Sequence, residues 1–274
     1  MPPSTCLDGA LSPSWAISPW GSKYVGGMEE HFAGDALDPD LWLPHYLPHW
    51  SSRASSAATY AVTDGELRLS IPPEQGLWCS GLHDGPLRVS GVQSASFSGP
   101  PGSPVGGQPF KDGLLVASEE PGFCGYTPLY EHVEVRARGV LSPRSMIAFW
   151  LSGIEDKPQH SGEICVMEIF GDAVRPGSAD VGIGLHKFRD PVLTEEWSTQ
   201  PLEIDVAEFH RYAVDWTPGS LVFTVDGTVV KRIGQSPNYP VQLMLAVFDF
   251  PDKANNTTGS VPELIVSHVS GHPL

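Results

Sequence analysis

The sequence has little positive charge. It carries 16 Lys and Arg against 32 Asp and Glu, which gives a formal net charge of −16 and a pI near 4.9. Such a surface repels phosphate groups, and this argues against nucleic acid and anionic membranes as partners. A neutral polysaccharide would meet no such repulsion.

Long apolar runs are also missing. No segment reaches the length of a membrane-spanning helix. The first twenty residues lack the basic start and the apolar stretch of a signal peptide. We therefore expect a monomer that is cytoplasmic by default, or extracellular if a leader was removed.

Cysteine is scarce, and its four positions are Cys6, Cys79, Cys124 and Cys165. They are far apart and form no CxxC pair, which argues against a zinc ribbon or a redox motif. We expect free, mostly buried thiols, with disulfides as the open alternative. We also expect no metal at the functional site and no cofactor.

Helical periodicity is nearly absent, whereas turn formers are abundant, with 29 Gly and 27 Pro. Apolar and polar residues alternate in GELRLSI (65–71), HVEVRAR (132–138) and HRYAVDWT (210–217), a pattern typical of strands with one buried face. Pro218-Gly219 and Asp226-Gly227 predict hairpin turns after the last of these strands.

These signals predict an all-β fold, a two-sheet antiparallel β-sandwich or jelly roll. Residues 1–27 are rich in Pro, Ser and Gly and are expected to form an N-terminal extension. Residues 28–274 are expected to form one domain, because strand signals of the same character resume after each loop.

The segment EICVMEIF (163–170) places Glu163 and Glu168 in an otherwise apolar strand. Burying two acids costs several kcal/mol unless they are paired or used. A retaining glycosidase needs two carboxyl groups about 5 Å apart. A spacing of five would put the two on opposite faces, so we predict a β-bulge near Val166-Met167 that returns Glu168 to the face of Glu163. The alternative is that one acid faces solvent and the other caps a loop.

The run FWLSG…SGEICVMEIFG resembles the E-x-D-x-x-E signature of glycoside hydrolase family 16, which includes laminarinases, lichenases and agarases. Other segments are similar to that family in the expected order, over roughly residues 28–272. They are HFAGDALDPDLW (31–42), TDGELRLSI (63–71), YEHVEVRAR (130–138), FHRYAVDWTPGSLVFTVDG (209–227) and ELIVSHVSG (263–271).

This resemblance implies a concanavalin A-like jelly roll with a carbohydrate cleft on its concave face. It implies that Glu163 is the nucleophile and Glu168 the general acid/base. The implied activity is retaining endo-hydrolysis or transglycosylation of a β-linked polysaccharide, such as a β-1,3- or β-1,3/1,4-glucan or a galactan.

Cys165 stands where the family pattern has Asp. A thiol is a weak hydrogen-bonding partner and is neutral near pH 7. Losing a nearby negative charge should lower the pKa of both glutamates. The alternative function is therefore a non-catalytic carbohydrate-binding sandwich with a degenerate active site. A nucleophilic or metal-binding Cys165 is disfavoured, because apolar neighbours oppose the thiolate.

Further candidates come from alternation and from the resemblance. Alternation puts Phe149 and Trp150 on opposite faces, and the resemblance favours Trp150 as a platform for sugar. A structural Ca²⁺ occurs on the convex face in some members, where Glu29 or Glu30 could contribute. The expected substrate-binding residues are Trp150, His186, Arg136 and Phe248.

Overall fold

The structure is a computed structural model, and it describes residues 24, 26–120, 122–253 and 260–274. Cys6 and the predicted extension up to residue 23 lie outside the described residues. Within these residues, helix is limited to α1 (Arg53–Ser56) and two 3-10 turns (Pro48–Trp50 and Gly171–Ala173). The strands are β1 (Met28–Glu30), β2 (Thr59–Thr63), β3 (Glu66–Ser70), β4 (Arg88–Gln93), β5 (Ala95–Ser96), β6 (Phe123–Cys124), β7 (Glu131–Val140), β8 (Ser145–Gly153), β9 (Glu163–Phe170), β10 (Val174–Arg175), β11 (Ser178–His186), β12 (Ser198–Leu202), β13 (His210–Thr217), β14 (Ser220–Val225), β15 (Thr228–Ile233), β16 (Val241–Asp249) and β17 (Glu263–Pro273).

Two antiparallel sheets form the domain, as the sequence predicts. The larger has the order β15-β14-β13-β7-β17-β3-β2, with β1 also paired to β17. The second, the cleft sheet, has the order β10-β11-β9-β8-β16-β4, with β12 also paired to β11. β5 and β6 make a small separate ribbon.

The core lies between the two sheets and follows the alternation in the sequence. Val133, Val135 and Ala137 of β7 are fully buried, while the residues between them are only partly buried. The Asp226-Gly227 turn joins β14 to β15 and has positive φ at both residues, 48° and 75°. That conformation suits a two-residue hairpin turn, which is why an Asp-Gly pair predicts it.

The cleft sheet is buried on both faces. All nine residues of β8 and all nine of β16 are buried. Their inner side chains join the main core, and their outer ones pack under loops that carry Leu47, Trp50 and Trp78. These loops wall a cleft over the outer face of the sheet. Within the residues described, no helix is both long and apolar enough to cross a membrane.

Candidate active site

A β-bulge in β9 brings the two glutamates to one side of the cleft sheet. Phe149 pairs with Met167 and Trp150 with Cys165, so Val166 is an extra residue opposite β8. The pairing with β11 slips at the same place. Val166 and Met167 both join the main core, which restores the outward direction at Glu168. The predicted bulge is confirmed.

Glu163 lies at the start of β9 on the cleft floor. The Ser152 hydroxyl donates to its Oε1 over 3.1 Å, and among the described residues Oε2 accepts no hydrogen bond. Burial raises the pKa of Glu163 to about 8, the Ser152 hydrogen bond opposes this rise, and the charge of Glu168 adds to it.

Glu168 lies on the same floor and is held by Trp197. The indole Nε1 of Trp197 donates to Glu168 Oε2 over 2.8 Å. Burial raises the pKa of Glu168, while His186 and the Trp197 hydrogen bond act in the opposite direction. Burial therefore sets the direction of the shift from the ordinary pKa, and the lowering expected from the missing aspartate stays a prediction. Among the described residues, each glutamate has one carboxylate oxygen that accepts a hydrogen bond and one that accepts none.

Two glycines of β11 make room for Trp197. A Cβ on Gly182 would lie 2.5 Å from the Trp197 ring and 3.2 Å from the Glu168 Cβ. A Cβ on Gly184 would lie 2.7 Å from the Trp197 Cα, and Gly184 has a φ of 150°. Since real side chains do not tolerate such contacts, glycine at these positions lets the 196–197 segment lie against the acid.

Cys165 lies between the two glutamates along β9, with 1% of its surface exposed. Burial raises the pKa of its thiol well above the ordinary value, and the nearby glutamates add to the rise. The thiol is therefore protonated at neutral pH. It brings no negative charge to the site, as the sequence indicates for a cysteine at this position.

The cleft above the glutamates has a volume of about 280 Å³. Its lining is mostly aromatic and apolar, a surface suited to the faces of sugar rings. Phe188 contributes the most accessible ring, with 55% of its surface exposed. The aromatic lining residues are Tyr46, Trp78, Phe110, Trp150, Phe188, Phe248 and Phe250.

The cleft lining includes a charged pair, Glu155 and Arg189. Glu155 forms an ion pair with Arg189 and accepts the Gln108 backbone N–H over 3.0 Å. Burial raises the pKa of Glu155 to about 7, against the effect of Arg189. These contacts join three loops. They also pair Arg189, which is the one arginine among the described residues that line the cleft.

Trp150 and Phe248 both line the cleft, as expected. Phe149 points into the core, so the predicted split between it and Trp150 is confirmed. Trp150 is only 6% exposed, because Tyr46 and Phe248 pack on it with ring centroids at 6.5 and 6.2 Å. Its accessible surface for stacking is therefore small, and its role as a platform stays a prediction.

The structure places the expected substrate-binding residues His186 and Arg136 on different sheets. The His186 ring stacks on Trp197 with centroids 5.7 Å apart, next to Glu168. Arg136 lies on β7 of the other sheet, where it donates to Ser267 over 2.7 Å and covers the Phe209 ring at 4.3 Å. Outward alternation on the larger sheet points it away from the cleft, so the expected substrate contact does not hold for Arg136.

The candidate calcium ligands lie on the larger sheet. Glu29 forms a cluster with His31 and His268, with ligand atoms within 4.8 Å of one another. Glu30 accepts the Phe32 N–H over 2.7 Å. Calcium takes oxygen ligands, whereas two of the three donors in this cluster are imidazoles. The cluster is not a calcium donor set, and a structural Ca²⁺ stays a prediction.

Sequence reasoning missed the partners of the two glutamates. Ser152 follows Trp150 by two positions in FWLSG, so alternation alone places it on the cleft face. No comparable signal points to Trp197. It comes from a segment between strands, and only the close approach allowed by Gly182 reveals its contact with Glu168.

An all-β sandwich with two carboxylates on the floor of an aromatic cleft has the architecture of a glycoside hydrolase. The protein-family model for glycosyl hydrolases family 16 matches residues 126–261. This segment contains strands β7 to β16, both glutamates and Cys165. Residues 126–261 belong to glycosyl hydrolase family 16.

Solved structures share the fold. The endo-β-galactosidase of Clostridium perfringens that releases GlcNAcα1-4Gal has a TM-score of 0.76 at 24% identity, over 94% of this chain. This chain spans 65% of that galactosidase chain. The laminarinase of Flavobacterium sp. UMI-01 has a TM-score of 0.60 at 18% identity, over 89% of this chain and 98% of its own. The laminarinase catalytic domain of Thermotoga petrophila RKU-1 has a TM-score of 0.62 at 15% identity, over 89% of this chain and 96% of its own. No curated protein sequence matches the chain significantly.

Proposed function

We propose that the protein is a retaining endo-glycosidase that hydrolyses a neutral β-linked polysaccharide, with Glu163 as nucleophile and Glu168 as general acid/base. The observation that carries the proposal is the bulge at Val166-Met167, which sets both carboxyls on the cleft floor. Four strand positions separate them on that face, roughly 13 Å at the backbone. Side chains that lean together can reduce this gap to the separation that retention requires.

The hydrogen bonds hold one oxygen of each acid and leave the other oxygen for the proposed chemical step. Glu163 Oε2 is free to attack the anomeric carbon while Ser152 holds Oε1. Glu168 Oε1 is free to carry the proton to the glycosidic oxygen while Trp197 holds Oε2. In the second half-reaction, Glu168 takes a proton from water, and that water releases the sugar from Glu163.

Electrostatics support a shared proton on this pair. Burial raises the pKa of both carboxyls, and the charge of one opposes ionisation of the other. Burial therefore favours retention of a proton by this pair to a higher pH than exposed carboxyls would allow.

The cleft and the net charge favour an uncharged substrate. The lining is aromatic, and Arg189 is already paired with Glu155. A net charge of −16 opposes the approach of sulfated or uronic polymers. Among the solved structures, the endo-β-galactosidase has a higher TM-score than the laminarinases. We therefore place β-galactosides ahead of β-glucans as the substrate class.

The test is a panel of glycans incubated with the protein across pH 4–8 in chelator-treated buffer. The panel contains GlcNAcα1-4Galβ-linked glycans, mucin O-glycans, neutral galactan, laminarin and lichenan. Release of reducing ends shows hydrolysis, and NMR of the first-formed anomer shows retention or inversion. Inverted product would overturn the assigned roles.

Two variants complete the test. Glu168→Ala should lower the rate on the order of 10²–10⁴-fold, and azide should restore turnover of an aryl glycoside with a good leaving group, because azide needs no general base. The glycosyl azide should keep the configuration of the substrate. Glu163→Gln should abolish turnover, and full activity in this variant would remove the proposed nucleophile.

A non-catalytic carbohydrate-binding role is the second candidate, and Cys165 is the observation that favours it. It predicts oligosaccharide binding by calorimetry with no hydrolysis or transglycosylation of any glycan in the panel. In that case Glu163→Gln would leave binding nearly unchanged.

A further inference from the structure

A second set of metal-ligating side chains lies within the cleft sheet. Cys165 Sγ, a carboxylate oxygen of Glu168 and a ring nitrogen of His186 lie within 4.8 Å of one another. Cys165 and Glu168 come from β9, and His186 ends the neighbouring β11. The bulge turns the Glu168 side chain outward, so that Glu168 and Cys165 lie on the same face of the sheet.

The Cys165 thiol lacks a hydrogen-bonding partner among the described residues, although it is 1% exposed. The other two side chains of the cluster, Glu168 and His186, are each oriented by a hydrogen bond. The apolar sequence neighbours of Cys165 argue against metal binding. However, His186 is distant in sequence and comes close to Cys165 through the pairing of β9 with β11.

His186 is held in the tautomer that a metal needs. Its Nδ1 is hydrogen-bonded to the Glu195 carboxylate, which leaves the lone pair on Nε2. Metal-binding histidines typically have such a carboxylate on the opposite ring nitrogen. Trp197 does the same for Glu168, since its bond to Oε2 leaves Oε1 free.

We propose that Cys165, Glu168 and His186 bind a thiophilic divalent cation of the Zn²⁺ class, with the open cleft supplying water as a fourth ligand. Sulfur, imidazole and carboxylate together suit zinc and not calcium or magnesium. Glu168 lines the cleft, so the ion has an entry path. Coordination replaces the thiol proton with the metal and releases that proton to solvent.

Bound metal would inhibit the enzyme, and this part rests on the proposed function. A metal on the free oxygen of Glu168 occupies the position from which its proton is donated. Glycoside hydrolysis by the proposed mechanism uses no metal. The cysteine that replaces aspartate would thus make the active site sensitive to zinc, which an aspartate with its hard oxygens would do less strongly.

Binding is tested first by Co²⁺ titration of the metal-free protein, because it does not depend on activity. A thiolate-to-cobalt charge-transfer band in the near ultraviolet is expected, and Zn²⁺ should displace it. Cys165→Ser should abolish the band, and His186→Asn should weaken Co²⁺ binding at least about tenfold, as loss of a supporting group does at metal sites.

Cys124→Ser is the matched control for the thiol, since Cys124 is also buried and free but lies outside this cluster. His31→Asn is the control for the imidazole, because it removes a donor from the cluster with Glu29 and His268. Both controls should keep the band. Its absence in the unaltered protein, or its persistence in Cys165→Ser, would overturn the proposal.

The second arm measures hydrolysis with and without Zn²⁺. Zn²⁺ should inhibit the unaltered protein, EDTA should reverse the inhibition, and the residual activity of Cys165→Ser should be less sensitive to Zn²⁺. If no glycan is hydrolysed, the Co²⁺ band still decides the metal site. If the band forms but Zn²⁺ leaves hydrolysis unchanged, the inhibitory part of the proposal fails while the enzyme assignment stands.

Discussion

The indole N–H of Trp197 donates a hydrogen bond of 2.8 Å to Glu168 Oε2. This bond joins the segment before β12 to the acid at the centre of the cleft sheet. It holds the carboxylate in one orientation and stabilises its anion. The proposed acid/base is therefore tuned by a side chain that lies 29 positions away in sequence.

Trp197→Phe should slow hydrolysis about tenfold, because a hydrogen bond to a charged group contributes about 1.5 kcal/mol or more. The bond lowers the pKa of Glu168, so its loss raises that pKa. Since Glu168 must be protonated to act as the acid, activity should extend to higher pH. The measurement is the alkaline limb of kcat/KM against pH, in buffer containing EDTA.

Trp78→Phe is the matched control, because the Trp78 indole donates to the Tyr46 carbonyl and not to a carboxylate. It should leave the alkaline limb in place. A shift of the same size in both variants would mean that the limb does not report on Glu168.

Gly182→Ala tests the close approach on which that bond depends. The added methyl would lie 2.5 Å from the Trp197 ring and 3.2 Å from Glu168 Cβ, so the ring must move away from the acid. We expect a fall in kcat of at least about tenfold and the same alkaline shift as in Trp197→Phe. Circular dichroism and Tm establish that the sandwich still folds.

Gly234→Ala is the control for adding a methyl to a strand-end glycine, because nothing lies within 4 Å of its added Cβ. It should keep both activity and Tm. Normal activity in Gly182→Ala would show that Trp197 does not need its observed position.

The sandwich was predictable because it depends on local, repeated signals. Leu67 and Leu69 alternate with polar neighbours and are fully buried, and the Asp226-Gly227 turn forms where its residues require positive φ. The bulge was also predictable, since two buried acids five positions apart reach a common cleft only if one residue is absorbed.

The contacts that tune the site were less accessible to sequence reasoning. Arg136 belongs to an alternating strand, but alternation cannot tell which of two sheets a polar face belongs to. His186 and Cys165 are 21 positions apart and meet only through the pairing of β9 with β11. The effect of the missing aspartate on the glutamate pKa values stays a prediction, and the burial that raises both pKa values depends on loops whose packing the sequence does not reveal.

Phe188→Ala should raise KM about tenfold and leave kcat nearly unchanged. Phe188 lines the cleft with 55% of its surface exposed, and covering such a ring with sugar stabilises the complex by about 1.5 kcal/mol. Because an apolar ring offers no group for the chemical step, it should bind ground state and transition state equally. Leu115 is equally exposed at 55% but does not line the cleft, so Leu115→Ala should leave KM unchanged.

Ser152→Ala tests the nucleophile. The hydroxyl donates to Glu163 Oε1 over 3.1 Å and lowers the pKa of that carboxyl, so its loss should raise the pKa further. Since the nucleophile must be ionised, activity should be lost at a higher pH than in the unaltered protein as the pH is lowered. The expected change is an upward shift of the acidic limb of kcat/KM, with a threefold to tenfold loss of about 1 kcal/mol at the optimum.

Ser96→Ala provides the comparison, since the Ser96 hydroxyl is buried and has no hydrogen-bond partner. It should keep the acidic limb and leave stability unchanged or improved. If the acidic limb does not shift in Ser152→Ala, that limb does not report the ionisation of Glu163.

Cys165→Asp asks whether the thiol weakens the enzyme. An aspartate would place a third anion beside Glu163 and Glu168, and like charges raise carboxyl pKa values, so both limbs of the pH profile should move upward. We expect kcat/KM on the alkaline side of the optimum to rise, because the added charge keeps Glu168 protonated to higher pH. We also expect a loss of stability of several kcal/mol, measured as a lower Tm, since the position is 1% exposed and the burial of a further carboxylate beside two others is costly. Cys165→Asn has the same shape without the charge and should show neither the gain nor the pH shift. If Asp lowers activity as much as Asn does, the thiol is not what limits the enzyme, and the site works with cysteine at its centre.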